Sequence, residues 1–270
     1  MIGTEVVGAQ PVKARSRRTG HRLDVLLALT TSDLRVRYGR GGLRVAKWIL
    51  DPLAALGVYL LLVSFAVSKR GPAPGLSLAC AVIPFQLVVA TAVNAMSSVH
   101  IRRNVVLNMG FDRRLLPVAS VLTETVVFLA DLVLLALVMA VYGKAPTAAL
   151  LWFPIVLATT LALALGLAYP ATIFGVWFPD LRLLGVSVVR TLFFLASGLV
   201  PLARVPESAQ TLLRINPLTE IFESWRALFL YGHSPGLFNL LYPLLIAAGM
   251  LAVFLPLYRR EQQQFAKVVD

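Results

Sequence analysis

An all-helical integral membrane protein is the fold class this sequence predicts, and three observations predict it. Only 14% of the 270 residues are charged and 58% are hydrophobic, where soluble domains carry about 25% charged residues. Mean hydropathy is +0.80, and apolar runs near the ~20 residues that cross a bilayer recur along the chain. Those runs are rich in Leu, Ala and Val and lack the alternation of barrel strands, so they are helices. No long segment is polar enough for a sizeable soluble domain. The net charge of +12 does not point to nucleic acid, because most basic residues flank apolar runs, where they orient helices. Cys80, the single cysteine, has no internal disulfide partner. A long basic segment precedes the first apolar run, which argues against a cleavable signal.

The elements follow in order. Residues 1–22 read as a disordered basic tail, and residues 23–270 as one transmembrane domain. In Leu23–Trp48, Val25, Leu26 and Leu29 recur at helical spacing with Arg35, Arg37 and Arg40 behind them. That is the pattern of an amphipathic helix in a membrane interface, leading through Gly41–Gly42 into the first span. Six apolar runs are then predicted as spans: Trp48–Val67, Leu76–Ala95, Leu115–Val141, Ala148–Tyr169, Leu183–Val200 and Leu237–Leu257. Span four carries Ala158, Ala162, Ala164, Gly166 and Ala168, which suit close helix packing. Between spans five and six, Pro206–Glu207 starts one short helix. Asn216–Pro217 starts another, with Asn216 at the N-cap and Pro217 at the first helical position. The second helix should end at Gly232, bury Ile221, Phe222, Trp225, Leu228 and Phe229, and pair Glu223 with Arg226. Such a pair of helices either dips into the membrane and returns or lies flat on its surface.

Orientation comes from the basic residues. With the N-terminus inside, eighteen of the 25 Lys and Arg residues are cytoplasmic. They are those up to Lys47, Arg102, Arg103, Arg113, Arg114, Arg182, Arg259, Arg260 and Lys267. Six lie outside (Lys69, Arg70, Lys144, Arg204, Arg214 and Arg226), and Arg190 falls within a span. Both termini are therefore expected in the cytoplasm, with the chain in the plasma (inner) membrane. No Walker A loop, GxSxG elbow, HExxH or Cys/His metal spacing occurs. No catalytic or metal site is expected, and any work is powered by another subunit.

Four stretches in this order carry a family resemblance: "DLRVRYGRGGLRVAKWILDPLAALGVYLLLVSF", "NVVLNMGFDRRLLPVAS", "GVWFPDLRLLG" and "LLRINPLTEIFESWRALFLYG". From Asp24 to Lys267 the chain resembles the membrane subunits of ABC-2 type polysaccharide exporters. It departs from them at Pro179–Asp180, where Arg-Asp is usual, and at Tyr169–Pro170. The resemblance implies a homodimer working with two ABC ATPase subunits, which bind the ATP and Mg; this chain holds no cofactor of its own. It also implies a lipid-linked polysaccharide as cargo. The loop after span two would be a coupling helix over Val99–Met109 that docks on the ATPase. Arg102, Arg103, Val106, Met109, Arg113 and Arg114 belong to that contact, and Gly110 would be its left-handed stop. Phe178, Asp180 and Arg182 would form a second cytoplasmic contact. Asn216, Pro217, Glu223 and Arg226 would form an outer gate.

Glu124 and Asp131, seven apart in span three, share a face. A carboxylate at the bilayer centre costs about 2.5–3.5 kcal/mol, so they face protein or water. Two readings stand for them and for Arg190: a polar strip along a sugar path, or buried pairing, with Arg190 or with groups such as Thr191. Tyr59, Phe65, Phe85, Trp152, Phe174 and Trp177 are either sugar-stacking rings or interfacial and packing rings. The alternative functions are an ABC-2 permease for small lipids or drugs and a polytopic membrane enzyme of lipid-carrier metabolism.

Overall fold

The computed structural model describes residues 14–39, 50, 53–54, 57, 73–107 and 112–265, and every regular element among them is a helix. In chain order these are α1 (Ala14–Tyr38), α2 (Pro74–Ile101), the four-residue α3 (Arg103–Val106) and α4 (Leu115–Val141). A 3-10 turn, Ala148–Trp152, leads into α5 (Phe153–Trp177), and α6 (Arg182–Phe194) follows. Then come α7 (Glu207–Arg214), α8 (Pro217–Arg226) with a π-helical turn over Ala227–Tyr231, and α9 (Leu237–Glu261).

Four of these are long and apolar enough to cross a membrane: α2, α4, α5 with its leading turn, and α9. They match the second, third, fourth and sixth predicted spans. The first predicted span lies almost wholly outside the described residues. The fifth needs correction. Its helix stops at Phe194 after 13 residues, a rise of about 20 Å against a hydrocarbon core of about 30 Å. Beyond it the chain folds back on itself. A Cβ at Gly198 would sit 2.7 Å from the Phe193 carbonyl oxygen, so only glycine fits this close approach. Part of the expected tail, residues 14–22, is helical. Helix α1 begins at Ala14, well inside the expected tail, and its Arg22 reaches Asp112 at 3.4 Å.

Helix α2 is the axis of the bundle, packed by α4, α5, α6 and α8. Lipid is as apolar as a leucine core, so close shape fit holds spans together more than burial does. Two glycines of α5 supply it. Gly175 lies on the α2 backbone, where an added Cβ would come 1.9 Å from the Met96 carbonyl oxygen. A Cβ added at Gly166 would come 3.1 Å from the Ala247 backbone of α9, which places this small residue of span four at a contact within one subunit. Above them Phe85, Phe193 and Phe222 pack ring to ring, and Trp225 meets Phe128 edge-on.

The hairpin between spans five and six goes inward. Helix α8 buries Leu218–Phe222 and Ser224–Arg226 against α2 and α9, whereas α7 has no buried residue. Helix α8 is therefore packed within the bundle rather than lying apart on it. Asn216 caps it, its side chain accepting from Leu218 N at 3.1 Å, and Gly232 ends the helical run in the left-handed region (φ 72).

Candidate functional site

One end of the bundle gathers the basic residues. The C-terminal ends of α2, α5 and α9 and the N-terminal ends of α4 and α6 meet there, with Arg102, Arg103, Arg113, Arg114, Arg182, Arg259 and Arg260. The loop from Val99 to Pro117 lies at this end, and it differs from the single helix expected. Val99–Ile101 is the last turn of α2, the helix breaks at Arg102 (φ −105, ψ 31), and α3 holds only Arg103–Val106. Met109 and Gly110 lie outside the described residues, and the expected glycine stop with them.

The four arginines divide into two kinds. Arg113 donates to the Val106 carbonyl through Nε (3.1 Å) and Nη2 (2.9 Å), satisfying the end of α3 that a cap must satisfy. Its Nη1 reaches the Gln262 carbonyl at 3.3 Å, and Tyr258 donates to the Arg113 carbonyl at 2.8 Å, which fastens the loop to α9. Arg102 is buried and ion-paired with Asp33 of α1, Nε to Oδ1 at 3.3 Å and Nη2 to Oδ2. Arg102 and Arg113 are thus turned into the protein, a correction to their reading as docking residues. Val106 is buried beside Leu116, Tyr258 and Phe265. Arg103 and Arg114 are exposed, Arg114 lying 4.0 Å from Asp112.

Helix α1 lies along this end against α4. Arg37 donates to both Glu124 oxygens at 2.9 Å, and Asn94 of α2 donates to Oε1 at 3.2 Å. Glu124 is therefore buried and paired, as one reading had it, but with Arg37 and not Arg190. Thr123 donates to Asp33 at 3.1 Å. A cavity of about 570 Å³ opens between α1, α2, α4 and α6, lined by Asp33, Arg37, Gln86, Asn94, Glu124 and Arg190 among others. Asp131 lies in a smaller space of about 100 Å³ with Tyr38, Gln86 and Glu124, and its buried Oδ1 has no hydrogen-bond partner among the described residues. Asp33, Asn94 and Thr123 were not singled out in the sequence. Asp33 and Arg37 sit four apart, so their shared face was legible, but their partners were not.

The other predicted sites separate. Phe178 and Asp180 are exposed and Arg182 is half-buried at the start of α6, so this second loop presents side chains outward at the basic end. Phe85 is enclosed at 2% exposure between Phe193 and Phe222, a packing ring and not a lining one. Trp152 and Trp177 are exposed and Phe174 packs on Phe178, while Tyr59 and Phe65 lie outside the described residues.

At the opposite end Glu223 and Arg226 pair at 2.7 Å, as their spacing predicted. Arg226 is wholly buried and also donates to Ser197 Oγ (3.2 Å) and to the carbonyls of Gly198 (3.0 Å) and Ser77 (3.2 Å). Glu223 accepts from Ser197 Oγ (3.0 Å) and Leu202 N (2.9 Å), and Asn216 Nδ2 donates to the Leu192 carbonyl at 2.7 Å. These bonds satisfy the backbone freed where α6 stops short. Non-helical chain at membrane depth is tolerated only with such protein partners.

No family model matches the chain. Curated relatives do. An O-antigen export system permease protein of Myxococcus xanthus is 25% identical over 248 residues, which cover 91% of this chain and 95% of the relative. Two from Klebsiella pneumoniae with the same description are 25% and 23% identical over 214 residues, 79% of this chain and 83% of each relative. Over most of its length the chain is similar to these O-antigen export permeases. The resemblance to ABC-2 type polysaccharide exporter subunits, carried in the sequence by four short motifs, is borne out over most of the chain's length.

Proposed function

We propose that this chain is the membrane subunit of an ATP-powered exporter that moves a polysaccharide, carried on a lipid, out across the plasma membrane. The observation that carries the reading is the match to an O-antigen export permease over 91% of the chain. The basic end supports it. A short helix, braced by Arg102 and Arg113 and flanked by exposed Arg103 and Arg114, suits docking on a separate ATPase better than orientation alone requires. That end faces the cytoplasm by the positive-inside rule, and so do both termini. The partner ATPase holds the ATP and Mg.

The subunit works as a pair. Arg190 is exposed on α6 among exposed Leu183, Leu184, Val188 and Phe194. An arginine facing lipid costs about 2.5–3.5 kcal/mol at the bilayer centre, so this face is better covered by a second copy or an aqueous path than by acyl chains. Trp48–Val67 adds a further span to the four of α2, α4, α5 and α9, while α6 and the chain folded back after it stop short of crossing. The hairpin of α7 and α8 closes the outer side, and Trp177 and the polar cavity lie on the side where cargo enters.

Two measurements test this. Affinity purification of the chain from its own cells brings down an ABC ATPase, and depletion of the chain leads to accumulation of a lipid-linked polymer in the cytoplasm. Depletion that leaves envelope polysaccharide intact, with no polymer held inside, defeats the reading.

A further inference from the structure

The linkage between α1 and the helix break at Arg102 has a geometry that packing alone does not require. Arg102 stands where α2 ends and α3 begins, so its backbone marks the hinge between a span and the short helix at the basic end. Its buried guanidinium is gripped through two nitrogens by Asp33, and the same carboxylate accepts from Thr123 of α4. One carboxylate on α1 therefore holds the hinge and the span that follows it. One turn along α1, Arg37 grips Glu124, which accepts from Asn94 of α2. Acid then base on α1 meets base then acid on the bundle. Sliding α1 by a turn sets like charges together, so the pairs fix a single register, the best-attested use of buried polar pairs.

We propose that Asp33 is a positioning residue for transport: it fastens α1 to the hinge, so that α1 and α3 move as one body when the ATPase displaces α3. The proposal rests on the reading of the chain as an ATPase-driven permease. The polar cavity beside the linkage is bounded by α1 on one side and by α2, α4 and Arg190 of α6 on the others. A hinge tied to α1 changes the shape of that cavity whenever α3 moves, which carries a stroke at the ATPase surface to the flank of the spans. Packing of Leu34 and Tyr38 on Val127 adds an apolar hold of α1 on α4.

The test uses the assembled complex with its ATPase, in a Cys80→Ala background. Asp33→Asn keeps the side chain's size and removes its charge. Export per assembled complex should fall about ten-fold, with ATP hydrolysis per assembled complex unchanged. The double variant Asp33→Cys, Arg102→Cys should be uncoupled in the same way while its thiols are free. It should recover export once a short bifunctional thiol reagent bridges them, because a covalent strut replaces the ion pair. Bridging that leaves export low overturns the proposal, since α1 and the hinge then have to part during the cycle. Normal export by Asp33→Asn overturns it as well. If Asp33→Asn fails to assemble, Thr123→Val repeats the test with one hydroxyl removed, and failure of both to assemble assigns the linkage to folding and overturns the proposal. A wild-type complex that neither binds an ATPase nor exports defeats the permease reading instead, an outcome seen before any variant is made.

Discussion

Inside the knob formed by α8 and the chain after α6, Arg226 meets Glu223 at 2.7 Å with no exposure to solvent. At the other end Arg37 meets Glu124 at 2.9 Å beside a cavity, and the Arg37 side chain is 42% exposed. The two pairs are similar in length and differ in everything around them. Arg226 has four protein acceptors, drawn from α2, from α8 and from the chain that follows α6. Removing Glu223 strands a buried charge. The pairs on α1 each join one helix to one or two others, with room alongside for movement. An ion pair closed in by carbonyls holds a fold together, and one beside a cavity sets how helices are coupled.

Four substitutions break or sharpen that contrast. The largest effect belongs to Arg226→Met, which leaves Glu223 with its charge uncompensated in the interior. It should cost about 3–5 kcal/mol and greatly reduce the amount of folded protein recovered in detergent. Thermal unfolding followed by size-exclusion chromatography checks this, and an unchanged midpoint would mean the knob does not depend on its ion pair. Gly175→Ala comes next. Its Cβ would strike the Met96 backbone, which has no flexible end to move aside, and the cost should be about 1–3 kcal/mol by the same assay. Gly249→Ala is its control, because an added Cβ there meets nothing within 4 Å.

Glu124→Gln should cost less, about 1–2 kcal/mol, since Arg37 can regain water where Arg226 cannot. Loss of export relative to the amount of folded protein should exceed what that destabilisation explains. The smallest effect on the fold is expected for Arg114→Gln, within about 0.5 kcal/mol for an exposed residue. Its consequence should instead appear in the complex, as weaker retention of the ATPase when salt is raised. Equal loss of stability in Glu124→Gln and Arg226→Met would erase the distinction between the two ends.

Much of the fold was legible along the chain because it depends on local quantities. Of the six spans that apolar length predicted, four are long apolar helices in the structure, α4 with the bounds Leu115–Val141, because a bilayer selects for length and hydropathy alone. The start of α8 was readable because Asn216 and Pro217 act on their own next turn, and its end because Gly232 takes a backbone conformation that other residues avoid. Glu223 and Arg226 were paired correctly because three residues along a helix is one turn.

What the sequence by itself determined about this protein is its class, the charge asymmetry of its ends and the local helix signals within it. The tertiary structure alone decided where α6 stops, since that depends on Gly198 folding against Phe193 and on the α8 segment supplying hydrogen bonds from 24 or more residues away. It alone decided that Arg102 and Arg113 turn inward while Arg103 and Arg114 stay exposed. Four neighbouring arginines look alike in one dimension. Their roles diverge because Asp33 is brought within hydrogen-bond reach of Arg102, and Val106 and Gln262 within reach of Arg113. Partners 69 or 149 residues apart leave no periodicity to read, and only the packing of helices selects them.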